Sequence, residues 1–139
     1  MSIYNSTGHT SGEECSSTYE GRHITLIGTD FATVGTIAST GCVKGEPCTF
    51  GDIGTGVVFN TVANASLATT YVAIDTGGIW WLDVVTSATM APGDTVYIEE
   101  TTGVLSDTAG TGRVFGYVVE DVASGTGTAV LACVKLITY

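Results

Sequence analysis

The chain has 139 residues, 44% hydrophobic and 13% charged, with 14 acidic against 4 basic residues and a formal net charge of −10. This length suits one compact domain. The acidic balance argues against nucleic-acid binding, which needs clustered basic side chains. The basic residues are scattered along the chain: Arg22, Lys44, Arg113 and Lys135. We therefore expect no nucleic-acid partner.

A polar segment opens the chain. Residues 1–22 are rich in Ser, Thr and Gly, and their sizeable apolar anchors are Ile3, Tyr4 and Tyr19. Such a segment cannot build a core, so it is expected to be an extended N-terminal arm that either stays disordered or orders on a partner. The remaining residues, 23–139, are expected to form a single β-domain.

From His23 onward, short apolar runs alternate with glycine-containing turns. Runs of about 4 to 8 residues at this spacing are typical of a small β-barrel or sandwich. The runs are "HITLIG", "TVGTIAS", "GCVKGEPCTFGD", "GVVFNTVA", "TYVAIDT", "GIWWLDVVT", "DTVYIEE", "GVLSD", "RVFGYVVEDV" and "TAVLACVKLITY". The stretch "ANASLATT" allows a single helical turn at most. The predicted fold class is all-β with an extended arm.

An uncharged segment, residues 53–74, is long enough to span a bilayer. It contains Asn60, Asn64 and several threonines, which a membrane-spanning helix would have to bury in hydrocarbon. We therefore expect no membrane partner.

The run "GIWWLDVVT" carries a large ring on each face, because alternation places Trp80 and Trp81 on opposite sides of a strand. A strand that is apolar on both faces is buried on both, within the domain or by a neighbouring chain. The last run, Ala129 to Ile137, is similar apart from Lys135. The residues expected in the core or a subunit interface are Trp80, Trp81, Leu82 and Tyr97.

The stretch "APGDTVYIEETTGVLSD" (91–107) predicts a hairpin with a Pro-Gly entry turn and a Thr-Gly closing turn. Val96 and Ile98 are expected to face the core. Glu99 and Glu100 are adjacent, so their side chains should diverge rather than converge on a substrate. The acidic pair is therefore expected at a solvated strand end.

Residues for catalysis or metal binding are sparse. No nucleophile elbow, phosphate-binding loop or zinc-protease motif is present. His9 and His23 are the two histidines, and His9 falls in the polar arm, a poor platform for preorganised chemistry. We expect no catalytic residue, no metal site and no cofactor.

The cysteines match no strong zinc pattern and are too few for a disulfide scaffold. They are Cys15, Cys42, Cys48 and Cys133. Buried free thiols are expected. A disulfide between Cys42 and Cys48 is the alternative if the protein meets an oxidising environment.

The pattern of residues 35–137, about three quarters of the chain, resembles the phage capsid decoration (cement) proteins of the DUF2190 type. The segments that carry the resemblance are "GDIGTGV" (51–57), "GIWWL" (78–82), "MAPGDTVYIEETTGVLSD" (90–107) and "GRVFGYVVEDVASGTGTAVLACVKL" (112–136). They are turn and strand signatures rather than catalytic residues. The tryptophan pair is bulkier than the family pattern, and the arm is longer than the family's usual opening.

The resemblance implies a compact β-barrel-like body, a homotrimer, and binding to the major capsid protein on the outer surface of an icosahedral phage head. The expected role is non-enzymatic stabilisation of the shell, with the arm residues Ile3, Tyr4 and Tyr19 as the docking element. Two alternatives stay open. One is a carbohydrate-binding or host-adhesion module on the virion that uses Trp80, Trp81 and Tyr97 in a weak glycan contact. The other is a small β-barrel enzyme with a carboxylate site.

Overall fold

The structure is a computed structural model, and it describes residues 23–26, 36–37, 41–67 and 69–137. The predicted arm, residues 1–22 with its anchors Ile3, Tyr4 and Tyr19, lies outside the described residues. His9 and Cys15 lie outside them for the same reason.

The regular secondary structure of the described residues is almost entirely β-strand. The strands are β1 (His23–Leu26), β2 (Gly41–Cys42), β3 (Pro47–Phe50), β4 (Gly54–Val58), β5 (Val62–Ala63), β6 (Val72–Asp75), β7 (Ile79–Thr86), β8 (Thr95–Ile98), β9 (Leu105–Ser106), β10 (Arg113–Val118) and β11 (Thr128–Leu136). One 3-10 turn, Asn64–Ser66, falls within the stretch that was expected to form at most a single turn. None of the helical structure in the described residues has the length and apolarity needed to span a bilayer.

The strands form two regions. Strands β7 to β11 close into a five-stranded barrel in the order β10-β11-β7-β9-β8, which we call the barrel. Strands β1 to β6 form a four-stranded sheet, β1-β6-β4-β3, and a separate β2-β5 pair, which we call the sheet lobe. The all-β prediction is confirmed, and the closed region is a barrel.

The barrel core follows from alternation along its strands. In β8, for example, Val96 and Ile98 are fully buried while Thr95 and Tyr97 are half-buried, so the predicted core residues of the hairpin are confirmed. Every barrel strand contributes buried apolar side chains to one cluster: Leu82, Val84, Val96, Ile98, Leu105, Phe115, Val118, Ala132, Val134 and Leu136.

A glycine makes close strand pairing possible in the barrel. Gly116 of β10 pairs with Leu136 on one side and with Val96 on the other, next to an irregularity in the β10–β8 register. A Cβ atom at this position would collide with the backbone carbonyl of Lys135. Only glycine lets β10 approach β11 this closely at this point.

The sheet lobe has its own, smaller core. Cys42 of β2 and Cys48 of β3 pack there with aliphatic side chains from β4, β5 and β6 and from the segments between strands. The buried members are Ile37, Cys42, Cys48, Val58, Val62, Leu67, Val72 and Ile74. Val57 of β4 instead joins the barrel cluster, so the two cores meet at this strand.

Arg113 of β10 joins the two regions. Its Nε donates to Glu100 Oε1 at 3.0 Å, its Nη1 to the Gly54 carbonyl at 3.0 Å, and its Nη2 to the Gly51 carbonyl at 2.9 Å. The side chain is only 10% exposed. A planar guanidinium suits this task because its donors form a fixed fork. The turn between β3 and β4 is therefore held onto the barrel.

Candidate interaction surface

The outer face of β7 is the apolar surface that was expected to be covered. Strand β7 pairs antiparallel with β11 along its length, with Trp81 opposite Cys133 and Asp83 opposite Leu131. One face of this ribbon packs into the barrel. On the other face, Trp81 is 61% exposed and Leu131 is 60% exposed. The domain therefore buries one face of β7 and leaves the other exposed.

A cleft of about 540 Å³ lies beside this face. Trp81, Asp83 and Leu131 line its barrel side. Glu46 of the β2–β3 turn and Pro47 at the start of β3 line the side of the sheet lobe. Its lining includes buried side chains from both cores. The cleft thus runs along the seam between the barrel and the sheet lobe.

The structure separates the four residues predicted for a core or an interface. Leu82 is buried in the barrel core. Trp80 packs against that core, and its indole N–H donates to the Gly77 carbonyl at 3.0 Å. Tyr97 is half-buried and lines a different pocket, with Asp107. Among the four, Trp81 is the one that offers a largely exposed ring.

Two surface residues beside Trp81 were not singled out from the sequence. Leu131 lies on the last strand, whose apolar character on both faces was a usable signal. Val104 is 48% exposed and follows the turn that closes the β8–β9 hairpin. A single valine after a turn gives no pattern, so sequence reasoning had no means of finding it.

A histidine–carboxylate contact joins β1 to β6 within the sheet lobe. His23 lies opposite Asp75 in the β1–β6 ladder, and His23 Nε2 is 3.3 Å from Asp75 Oδ2. Asp75 is 1% exposed and also accepts a hydrogen bond from Gly77 N–H at 3.0 Å. The His23 ring meets Phe59 edge-on with centroids 4.9 Å apart. This contact fixes the strand at which the N-terminal segment joins the domain.

The acidic pair of the hairpin has separate partners. Glu99 accepts a hydrogen bond from the Thr111 hydroxyl at 2.6 Å, and this bond lowers the pKa of the Glu99 carboxyl. Glu100 pairs with Arg113. The two carboxylates are thus engaged with different neighbours, as their predicted divergence requires.

Asp107 organises the turn after β7. Its carboxylate accepts hydrogen bonds from Ser87 N–H at 2.7 Å and Ala88 N–H at 3.2 Å. Partial burial opposes ionisation, but these bonds outweigh it and hold the pKa of Asp107 below its ordinary value. Within the described part of the chain, no group of His, Cys, Asp and Glu side chains is arranged to hold a metal ion.

Cys42, Cys48 and Cys133 are free thiols. Burial raises the pKa of Cys48, and the neighbouring Cys42 thiol adds to this effect. Burial also raises the pKa of Cys42. Both groups are therefore protonated and poorly reactive at neutral pH. The disulfide between Cys42 and Cys48 stays a prediction for oxidising conditions.

Comparison with known proteins identifies the family. The profile described as phage cement protein matches residues 27–134, which include most of the sheet lobe and nearly all of the barrel. No curated protein and no solved structure matches the sequence significantly. The match spans well over half of the 139 residues. The chain therefore belongs to the phage cement protein family.

Proposed function

We propose that this protein is a homotrimer that binds the major capsid protein on the outer surface of a phage head and stabilises the shell without catalysis. Membership of the phage cement protein family assigns the chain to a capsid decoration role as a component of the virion. The trimer, the outer position and the stabilisation are the parts that we add.

The observation that carries the proposal is the exposed apolar face of β7 and β11. Trp81 and Leu131, each about three-fifths exposed, lie on the same face of the β7–β11 ribbon, and Ile79 on this face is 58% exposed. Large exposed apolar side chains that form one patch mark an interaction surface. We place Trp81 in an interface with a neighbouring chain.

The rigidity of the body also supports a structural role. The barrel is closed, and Arg113 fastens the sheet lobe to it through backbone carbonyls. A decoration protein gains from such stiffness because contacts to several coat subunits then act together, and each modest contact strengthens the whole attachment.

Residues 1–22 supply a further contact in this proposal. Their apolar anchors, Ile3, Tyr4 and Tyr19, would lie on the coat surface. Removal of residues 2–22 should leave a folded trimer with weaker binding to heads. Unimpaired binding would remove the arm from the proposal without affecting the rest of it.

The test uses expanded phage heads that lack this protein. The purified full chain should sediment with the heads to saturation, and decorated heads should release their DNA at a higher temperature than undecorated ones. Native mass spectrometry should show a trimer. Absence of binding to heads would overturn the proposed function.

A glycan contact is the second candidate, and it now depends on one side chain. Trp81 is exposed beside a cleft that also contains Asp83, a combination suited to a sugar ring and its hydroxyl groups. Trp80 and Tyr97 do not share that cleft. A glycan array that gives binding by the native protein and none by the Trp81→Ala variant would favour this function, and an array without binding would eliminate it.

A further inference from the structure

The cleft beside Trp81 has a feature that side-chain exposure alone does not show, namely an unpaired backbone edge. Strand β7 pairs with β11 along its length, but on its other side it pairs with β9 only at Val84 and Val85. Residues 79–83 of β7 therefore have no strand beside them on that side within the described residues. An open edge of this kind is a template for an added strand.

The register shows which backbone groups are available. Leu136 N–H donates to the Gly78 carbonyl. Because bonded and non-bonded pairs alternate along an antiparallel ladder, the N–H groups of Ile79, Trp81 and Asp83 point away from β11. The N–H groups of Trp80 and Leu82 point toward it.

The cleft borders this edge. Trp81, Leu82 and Asp83 all line it, although the Leu82 side chain is buried in the barrel core. Val104 and Leu131 add exposed apolar side chains nearby. A strand that entered the cleft would find hydrogen-bonding groups along the edge and apolar contacts on one side, which is the arrangement used in β-augmentation.

Charge decides between the candidate occupants. The charged side chains among the described lining residues are Glu46 and Asp83, both acidic and exposed. A second copy of this chain carries a net charge of −10. The N-terminal segment 1–22 holds three glutamates and one arginine, a balance of −2. The four basic residues of the chain are scattered, so neither a second copy nor the N-terminal segment offers a stretch with basic residues at both ends, whereas a segment flanked by basic residues would be attracted to this rim.

We infer that the cleft between β7 and the β2–β3 turn binds an extended segment of the coat protein, with apolar residues at alternate positions and Lys or Arg at its ends. The segment pairs with residues 79–83 of β7 as an added strand. This inference rests on the proposed function, since it names the element of the shell that the protein grips.

The experiment combines binding with amide hydrogen exchange, and undecorated expanded heads serve as the probe. On addition of heads, exchange should slow at the amides of Ile79, Trp81 and Asp83. The amides of Trp80 and Leu82, already bonded to β11, provide an internal reference. If exchange at the first three amides is already slow without heads and slows further as the protein concentration is raised, a second copy occupies the edge. That result would overturn the inference.

Two variants with matched controls complete the test. Asp83→Lys reverses the rim charge and Trp81→Ala removes the exposed ring, and each should weaken binding to heads about tenfold or more. The controls are Asp121→Lys, at an exposed acid outside the cleft, and Tyr71→Ala, at an exposed ring of the sheet lobe. Both should bind as the native chain does.

The outcomes separate the inference from the function on which it rests. Native-like binding by both cleft variants, with unchanged exchange at Ile79, Trp81 and Asp83, would overturn the inference and leave the decoration role intact. Failure of the native chain to bind heads would overturn the proposed function itself.

Discussion

The barrel and the sheet lobe differ in how they hold their cores. The barrel strands close into a ring, and every strand contributes to one apolar cluster. Phe115 is the largest fully buried side chain in that cluster. The sheet lobe has β1 and β3 as the edge strands of its four-stranded sheet in the described residues, and a smaller core that includes two thiols. The comparison indicates that the barrel supplies most of the stability, while the lobe depends on its attachment to the barrel.

The largest effect should come from the barrel core. Phe115→Ala removes a fully buried ring and should lower the free energy of unfolding by about 3 to 5 kcal/mol. The matched change in the sheet lobe, Phe50→Ala, removes a half-buried ring and should cost about 1 to 2 kcal/mol. Urea denaturation followed by circular dichroism measures both. Equal losses would contradict the difference between the two cores.

The attachment between the regions should rank second. Arg113→Met leaves the carbonyls of Gly51 and Gly54 and the Glu100 carboxylate without their donor. We expect a loss of about 2 to 4 kcal/mol, with faster amide exchange in the β3–β4 turn. Arg113→Lys should recover part of the loss, since an ammonium group cannot reproduce the fork.

Lys44→Met is the matched control for Arg113, because Lys44 is exposed and its side chain makes no ion pair in the described residues. It should change the unfolding free energy by less than about 0.5 kcal/mol. If Arg113→Met lowers the free energy of unfolding by no more than this control does, the contacts of Arg113 do not hold the two regions together.

A smaller effect should appear at acidic pH in the barrel. The folded pKa of Asp107 lies below its ordinary value of 3.8, so its contribution to stability is present above that pH and is lost as the pH falls through the folded pKa. Asp107→Asn should reduce stability at pH 6 and flatten the loss of stability below pH 4. Parallel pH profiles for the variant and the native chain would refute this role.

The smallest effect is measured by thiol labelling, which probes the sheet lobe without substituting any residue of its core. In a Cys15→Ser background, a maleimide at neutral pH should label Cys133 first and Cys42 and Cys48 much later, because the latter two are buried and burial raises their pKa. Their labelling rate reports how often the lobe opens. Labelling of Cys48 as fast as that of Cys133 would show that the lobe core is not closed.

Local features of the fold were predictable from the sequence because they depend on neighbouring residues. The hairpin of residues 91–107 has its turns and its buried Val96 and Ile98 where alternation and turn chemistry place them. Gly93 has a φ of 95° in the entry turn, a conformation that glycine adopts without strain.

Features that join distant parts of the chain were not predictable. Barrel closure depends on the parallel pairing of Val84 with Leu105, and no local pattern specifies that partner. The acceptors of Arg113 in the β3–β4 turn lie about 60 residues away in sequence. Alternation also separates Trp80 from Trp81 without saying which ring the rest of the chain covers, so the exposed face needed the structure.

The most direct test of the account is an image of the decorated phage head at a resolution that shows side chains. We predict that the protein lies on the outer surface, with a coat-protein segment paired along residues 79–83 of β7 and the Trp81 ring covered by that segment. A decorated head in which the Trp81 face is open to solvent, or in which the chain lies inside the shell, would contradict the account.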